Sequence, residues 1–355
     1  MNSGSSEQKA ASGIELRNRI KTLLAYLSQN LSGKEEALSL SLLSAVANEG
    51  ILLLGMPGKD KAVVCRSIAS VFSDFYENGK FDIGNGNYFE YFMNESSEPE
   101  DICGPFDRTK NEYSANGYLP TAKIAFIDDI WLGNPAVFNT LLSIINDKRY
   151  HNGERFDDVP LVFLAAGSRG ADPYVAAESK KFEALRESFA LHVPVNPATN
   201  DDDFFKFVEN ADVWIQPDAE QKAALLSSGE IKRWQPKINN IGLSQEAKEV
   251  ISAIRRKSFD YYISDTRWKK IVRVLKTCAF LNGRGLVDLV DCSLIDYAIP
   301  NHFVEEILKQ YAVDNKFDNR QHAQYKANIF ARLKYYKILR ASIEDTKLKL
   351  EQNRG

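Results

Sequence analysis

Hydrophobic positions along the chain follow two periods that alternate. Residues 51–54, Ile-Leu-Leu-Leu, are an unbroken apolar run, and after a polar loop Val63, Val64, Ile68, Val71 and Phe72 recur at helical spacing. Together they predict strand, loop, helix. Residues 88–93, 123–131, 159–166 and 190–195 predict four further strands. Asn134-Pro135 opens a predicted helix running to Asn146, and Asn152-Gly153 has the signature of a hairpin tip. The polar stretch through Glu95, Asp101, Gly104-Pro105 and Asn116-Gly117 is too long for a simple connection and reads as a functional loop.

Strands alternating with helices predict a parallel α/β sheet, whose ligand groups gather at the carboxyl ends of the strands. Gly55, Asp128, Asp129 and Ser168 all fall at such ends. Two helices, over 16–31 and 37–49, precede the first strand, and residues 1–13 read as a disordered polar tail. From about residue 200 the pattern turns helical, with predicted helices over 218–228, 244–259, 264–282, 303–313 and 319–350. The last carries Tyr325, Ile329, Phe330, Leu333, Tyr336 and Leu339 on one apolar face, which reads as a packing face.

At 355 residues the chain is long enough for two domains with their own cores. A formal net charge of −3 gives no reason to expect nucleic-acid binding. No apolar run approaches a membrane span and the start lacks the apolar segment of a signal peptide, so a cytoplasmic location is the expectation. Cys65, Cys103, Cys278 and Cys292 are scattered, with no Cys-x-x-Cys pair, and read as buried thiols.

The chemistry concentrates after the first strand. Gly55-Met56-Pro57-Gly58-Lys59-Asp60-Lys61-Ala62, followed by Val63, partly keeps the phosphate-loop pattern Gly-x-x-x-x-Gly-Lys-Ser/Thr. Lys61 has the spacing that lets an ammonium reach the outer phosphates. Asp60 replaces the second glycine, and Ala62 replaces the hydroxyl that would ligate magnesium. The same stretch fits an ordinary buried strand turning into a helix. Asp128-Asp129 closes the third strand, and paired acids there suit a magnesium ion with an attacking water; a helix-cap pair is the alternative.

Taken together, the chain resembles the MoxR group of AAA+ ATPases, most closely the RavA type. The matching stretches are Gly-Tyr-Leu-Pro at 117–120, Ile127-Asp128-Asp129-Ile130-Trp131, Asn139-Thr140-Leu141-Leu142, Asn152-Gly153, Glu183-Ala184-Leu185, Arg233-Trp234-Gln235, Ser264-Asp265-Thr266-Arg267-Trp268-Lys269-Lys270 and Ala279-Phe280. They run in family order from about residue 15 to 300.

The resemblance implies an αβα nucleotide-binding core over 15–198, a helical linker over 199–240, an all-α lid over 241–315 and a C-terminal helix over 316–355, behind a tail of 1–14. It implies ATP or ADP with Mg2+ between core and lid. It also implies a homo-oligomeric, hexameric or mixed ring acting as a chaperone-like motor, and a von Willebrand factor A domain partner. Lys61 matches the phosphate-loop lysine, Asp128 the magnesium-side acid, and Arg267 the lid arginine that senses the γ-phosphate. Gly33 and Lys34 lie where the family places base contacts.

Other positions depart from the family pattern: Asp129 stands for the water-orienting Glu, Ser168 for the sensor asparagine, and Ser188 for the arginine finger, with Arg186 two residues before it. The expectation is a degenerate site that binds nucleotide and hydrolyses it slowly, or a nucleotide-held scaffold or regulatory subunit that does not turn over.

Overall fold

A computed structural model describes residues 3–58, 60–169, 179–198, 200–210, 216–258, 263–299, 302–314 and 328–331. Two compact units emerge, one from Ile20 to Gln235 and the other combining Met1–Arg19 with Pro236–Gly355.

The first unit is built on five parallel strands: β1 Gly50–Gly55, β2 Tyr88–Phe92, β3 Ile124–Asp128, β4 Phe163–Arg169 and β5 Phe189–Pro194. Their spatial order is β5-β1-β4-β3-β2. Central strands covered on both faces must be largely apolar, and β1 (Gly-Ile-Leu-Leu-Leu-Gly) and, up to its terminal Asp128, β3 (Ile-Ala-Phe-Ile-Asp) are. Pairing register then decides what meets at the carboxyl edge. Gly55 lies opposite Arg169, Ile127 opposite Ala166, and Asp128 opposite Phe92.

Helices cover the sheet. α1 spans Ser3–Asn30, α2 Glu35–Ala47, α3 Asp60–Ser70, α4 Pro135–Leu142, α5 Ser179–Arg186 and α6 Asp201–Asn210. Ten of the thirteen α2 residues are buried, as expected of a helix apolar on nearly every side. Asn134 caps α4, its side chain accepting from the Ala136 and Val137 amides at 3.0 and 3.1 Å, with Pro135 in the first turn. Val137, Leu141, Ile144 and Ile145 from this segment pack with Leu52, Ala125, Ile127, Leu164 and Ala166 of the sheet into one core.

Among the described residues the first unit has three small hairpins, two of which are joined to one another. Arg149–Asn152 pairs with Arg155–Asp158 across a Gly153-Glu154 tip, in which Gly153 has φ 65°. Phe106–Asp107 pairs with Glu112–Tyr113. The Asn152 side chain stitches them together: its Oδ1 accepts from the Tyr113 amide at 2.6 Å and its Nδ2 donates to Asp157 at 2.8 Å.

Among its described residues the second unit has helices and a two-residue parallel pairing of Gly242–Leu243 with Leu286–Val287. α7 spans Ser228–Asn239, with Pro236 inside it at the unit boundary. α8 (Gln245–Lys257) is capped by Ser244 and α9 (Asp265–Leu281) by Ser264, each serine accepting from an amide at 3.1 Å.

Several sequence expectations need correcting. The helix predicted from residue 16 begins at Ser3 and takes in most of the expected tail, whose Glu-Gln-Lys-Ala-Ala run has high helix propensity. The expected linker over 199–240 largely belongs to the first unit, which runs to Gln235. Most of the expected helix over 319–350 lies outside the described residues. Its described part, 328–331, is a bend: the Asn328 side chain accepts from the Phe330 and Ala331 amides at 3.1 and 3.0 Å, which competes with helix bonding.

Candidate functional site

The phosphate loop leaves β1 at Gly55 and enters α3 at Asp60. Gly55 is required by close approach: a Cβ there would sit 2.9 Å from the Val195 carbonyl oxygen. Met56 is exposed, and Lys59 lies outside the described residues. Lys61 is only 1% exposed; its ammonium donates to the Met56 carbonyl at 3.0 Å, hooking back across the loop, and stands 3.7 Å from Asp128 Oδ1. Ala62 is buried and Val63 partly so.

Asp128 ends β3 with its carboxylate over Gly167, where a Cβ would come within 2.0 Å of Oδ1 and 3.0 Å of Lys61 Cε. Its Oδ1 also accepts from the Asp129 amide at 3.0 Å. Burial pushes the Asp128 carboxyl up, Lys61 opposes this, and the net direction is upward.

Asp129 is 4% exposed and in the left-handed region, at φ 50° and ψ 41°, a conformation that costs a non-glycine residue roughly 1–3 kcal/mol and is concentrated at functional sites. Arg169, at the end of β4, donates from Nε to both Asp129 oxygens at 2.8 and 2.7 Å, with Nη2 adding a further contact to Oδ2. The Arg169 side chain is half exposed and lies 5.9 Å from the Phe92 ring centre. Ser168, the expected sensor, is buried and accepts from the Trp131 indole N–H at 2.9 Å. Ser168 therefore orients Trp131, and its neighbour Arg169 makes the contact to the second acid.

A cavity of about 540 Å³ is lined by Pro57, Gly58, Ala62, Asp128, Asp129 and Arg169, with Arg66 and Glu90 at its flank, and Lys61 lies just behind that lining, 3.7 Å from Asp128. Arg66 and Glu90 form a two-pronged pair at 2.9 and 2.6 Å. A larger cavity of about 720 Å³, near Asn48, Lys148 and Val162, contains none of the expected site residues. The 540 Å³ cavity is the candidate site because the charged groups converge there. The donor set suits a phosphate chain, with a buried ammonium and the start of a helix on one side and a carboxylate across from them.

Gly33 and Lys34 are drawn to the same loop from another side. Lys34 is buried; its ammonium donates to Asp60 at 2.9 Å and to the Asn196 carbonyl, and lies 5.7 Å from the Phe207 ring centre. Gly33 has φ 79° and abuts Asp203 of α6.

The remaining expected residues are placed differently. Ser188 is 1% exposed, donating to the Ala184 carbonyl at 3.0 Å and accepting from Asn146 at 3.1 Å. Arg186 is buried at the C-terminus of α5, so neither position offers an exposed guanidinium. Arg267 belongs to the helical unit, fully buried, with Nη2 donating to the Ala298 carbonyl at 2.7 Å; it is packed into that unit's own backbone.

Sequence reasoning missed Arg169, Arg66 and Glu90. The available signal was that Arg169 directly follows a strand end already singled out.

Comparison with known proteins bears on the family and the fold. A family model described as the MoxR domain of MoxR-vWA-beta-propeller ternary systems matches residues 18–235, and an AAA lid domain matches residues 246–307. Two uncharacterised proteins of Methanocaldococcus jannaschii are similar to the chain. One is 28% identical over 315 residues, covering 84% of this chain and 77% of the relative. The other is 27% identical over 294 residues, covering 80% and 73%. A crystal structure from Cytophaga hutchinsonii, described as that of a candidate ATPase, shares the fold with a TM-score of 0.57 at 17% identity, over 95% of this chain and 97% of that one.

Proposed function

The chain belongs to the MoxR family of AAA+ ATPases, and from that premise we propose that it binds ATP or ADP with Mg2+ at the loop Gly55–Ala62 and hydrolyses ATP slowly. One observation carries the reading: the buried Lys61 ammonium stands 3.7 Å from the Asp128 carboxylate, so a cation for phosphates and an acid for magnesium converge from the first turn of α3 and the end of β3. Lys61 and the amides opening α3 would hold the phosphate chain, with Asp128 facing the metal. Magnesium would neutralise charge on the phosphates.

Slow turnover follows from three departures. Ala62 supplies no hydroxyl, Asp129 has both oxygens engaged by Arg169, and the buried Ser188 offers no charge to a neighbouring subunit. An arginine finger is worth roughly 10³ to 10⁵ in rate. The same departures favour the alternative, a nucleotide-held scaffold or regulatory subunit.

At the level of assembly, the reading is a cytoplasmic, chaperone-like subunit of a hexameric or mixed ring that remodels or braces a partner protein. The description of the matched MoxR domain, which names vWA and beta-propeller components, supports a von Willebrand factor A domain partner. Isothermal titration of the chain with Mg2+ and ATP, beside phosphate release on the same sample, tests the site. Lys61→Ala should weaken binding at least tenfold, and unchanged affinity would overturn the assignment.

A further inference from the structure

The Asp129–Arg169 pair has a geometry that a simple surface salt bridge lacks. The acid is buried, held in the left-handed backbone region, and bonded through both oxygens, while the arginine is half exposed at the cavity wall. A carboxylate that orients an attacking water needs an acceptor site turned toward that water, and Arg169 donates to both oxygens of this one. The cavity that this pair lines is also lined by Gly58, Ala62 and Asp128, and Lys61 stands 3.7 Å from Asp128, so a triphosphate seated on Lys61 would bring its terminal phosphate toward the guanidinium. That phosphate carries more charge than one carboxylate and accepts the same two-pronged donation.

We propose that Arg169 is a cis-acting catalytic arginine that exchanges partners, from Asp129 in the resting site to the terminal phosphate of a bound nucleoside triphosphate. The inference rests on the nucleotide-site reading above. The exchange has two consequences. It frees the Asp129 oxygens to accept from a water. It also places a fixed positive charge where negative charge grows during phosphoryl transfer, the charge that Ser188 does not supply. Hydrolysis needs no other reactant. The water oxygen bonds to the γ-phosphorus as the β,γ-bridging bond breaks, the electron pair leaves on ADP, and the water proton passes by way of Asp129 to solvent.

The test uses the full chain with Mg2+ and three probes, ADP, ATP, and ADP with aluminium fluoride, which mimics the phosphoryl group in transfer. The unaltered chain should bind ADP with aluminium fluoride at least tenfold more tightly than ADP alone. Arg169→Ala should keep ADP affinity within about twofold, lose that tenfold gain, and release phosphate roughly 10²- to 10³-fold more slowly, the cost of removing one transition-state donor. Arg169→Lys, which keeps the charge without the planar fork, should recover part of the gain and guards against an alanine variant that does not fold. Asp129→Asn should keep the gain while losing phosphate release, separating the two residues.

An Arg169→Ala chain that keeps the gain, or hydrolyses as fast as or faster than the unaltered one, would reduce Arg169 to a clamp on Asp129 and overturn the proposal. So would an unaltered chain that binds ADP but shows no gain. Failure of the unaltered chain to bind any of the three probes would instead overturn the nucleotide site itself.

Discussion

The Lys34 ammonium stands 2.9 Å from the Asp60 carboxylate and places a buried cation against the one acid inside the phosphate loop. An acid at that position opposes phosphate, and the lysine neutralises it while also tying down the chain after β5 through the Asn196 carbonyl. Asp60→Gly should therefore raise nucleotide affinity several-fold. Lys34→Ala should lower it by roughly tenfold, about 1.4 kcal/mol of binding. The double variant should bind more tightly than the sum of the two opposing effects predicts, because the lysine's value depends on the acid. Titration of the three variants decides it, and strict additivity would show that the pair is not coupled to the site.

The second acid-bearing strand gives a sharper steric prediction. Gly167 has no unusual φ to satisfy; it is glycine because Asp128 lies over it. Gly167→Ala should push the carboxylate away from Lys61 and weaken Mg2+-dependent nucleotide binding at least tenfold, with the thermal transition shifted only slightly. Ala62→Ser works in the opposite direction. It adds the absent hydroxyl beside Asp128 and should reduce the Mg2+ concentration needed for half-maximal binding several-fold.

Ser188 separates charge from accessibility. Writing an arginine into the family's finger position looks like a repair, yet Ser188 is 1% exposed and hydrogen-bonded to Ala184 and Asn146. Ser188→Arg should destabilise the first unit by about 3 kcal/mol through burial of an uncompensated charge, without raising phosphate release. Denaturant unfolding and a phosphate-release assay check the two halves separately; a stable, faster variant would mean that this face opens in an assembly.

How much of this was legible beforehand follows from which interactions are local. The apolar run of β1 and the spacing to Lys61 are local, so the strand, loop and ammonium could be read directly. The start of β4 was misplaced because Val159, Leu161 and Val162 are as apolar as the strand itself, whereas the pairing with β3 begins at Phe163. The helices Asp201–Asn210 and Ser228–Asn239 went unread, the first for its acidic start and the second for its internal Pro236. Arg169 was missed because its role depends on a register between strands far apart in sequence, and the burial of Arg267 depends on tertiary packing that no spacing encodes.

In the helical unit, two carboxylates share one guanidinium. Arg284 donates to Asp291 at 2.8 and 2.6 Å and also to Asp288, while Asn328 donates to Asp291 at 2.8 Å. Asp291 is fully buried, so the cluster carries a net negative charge in a poorly solvated place. Burial first, and then the Asp291 charge, pushes the Asp288 carboxyl up to about 7, from an ordinary value of 3.8. Between those values the folded unit binds more protons than the unfolded chain, so its stability falls as pH rises through that window, by up to about 1.4 kcal/mol per pH unit. The stabilising contribution is complete below about pH 4 and gone above about pH 7. Asp288 also caps the following short helix through the Val290 and Asp291 amides, a role that an asparagine oxygen can keep. Asp288→Asn should therefore flatten the pH dependence and stabilise the unit at pH 8. Hydrogen exchange of the Val290 and Asp291 amides from pH 5 to 8, corrected for intrinsic rates, would show protection falling with pH in the unaltered chain and level in the variant. The same slope in both would place the titrating group elsewhere.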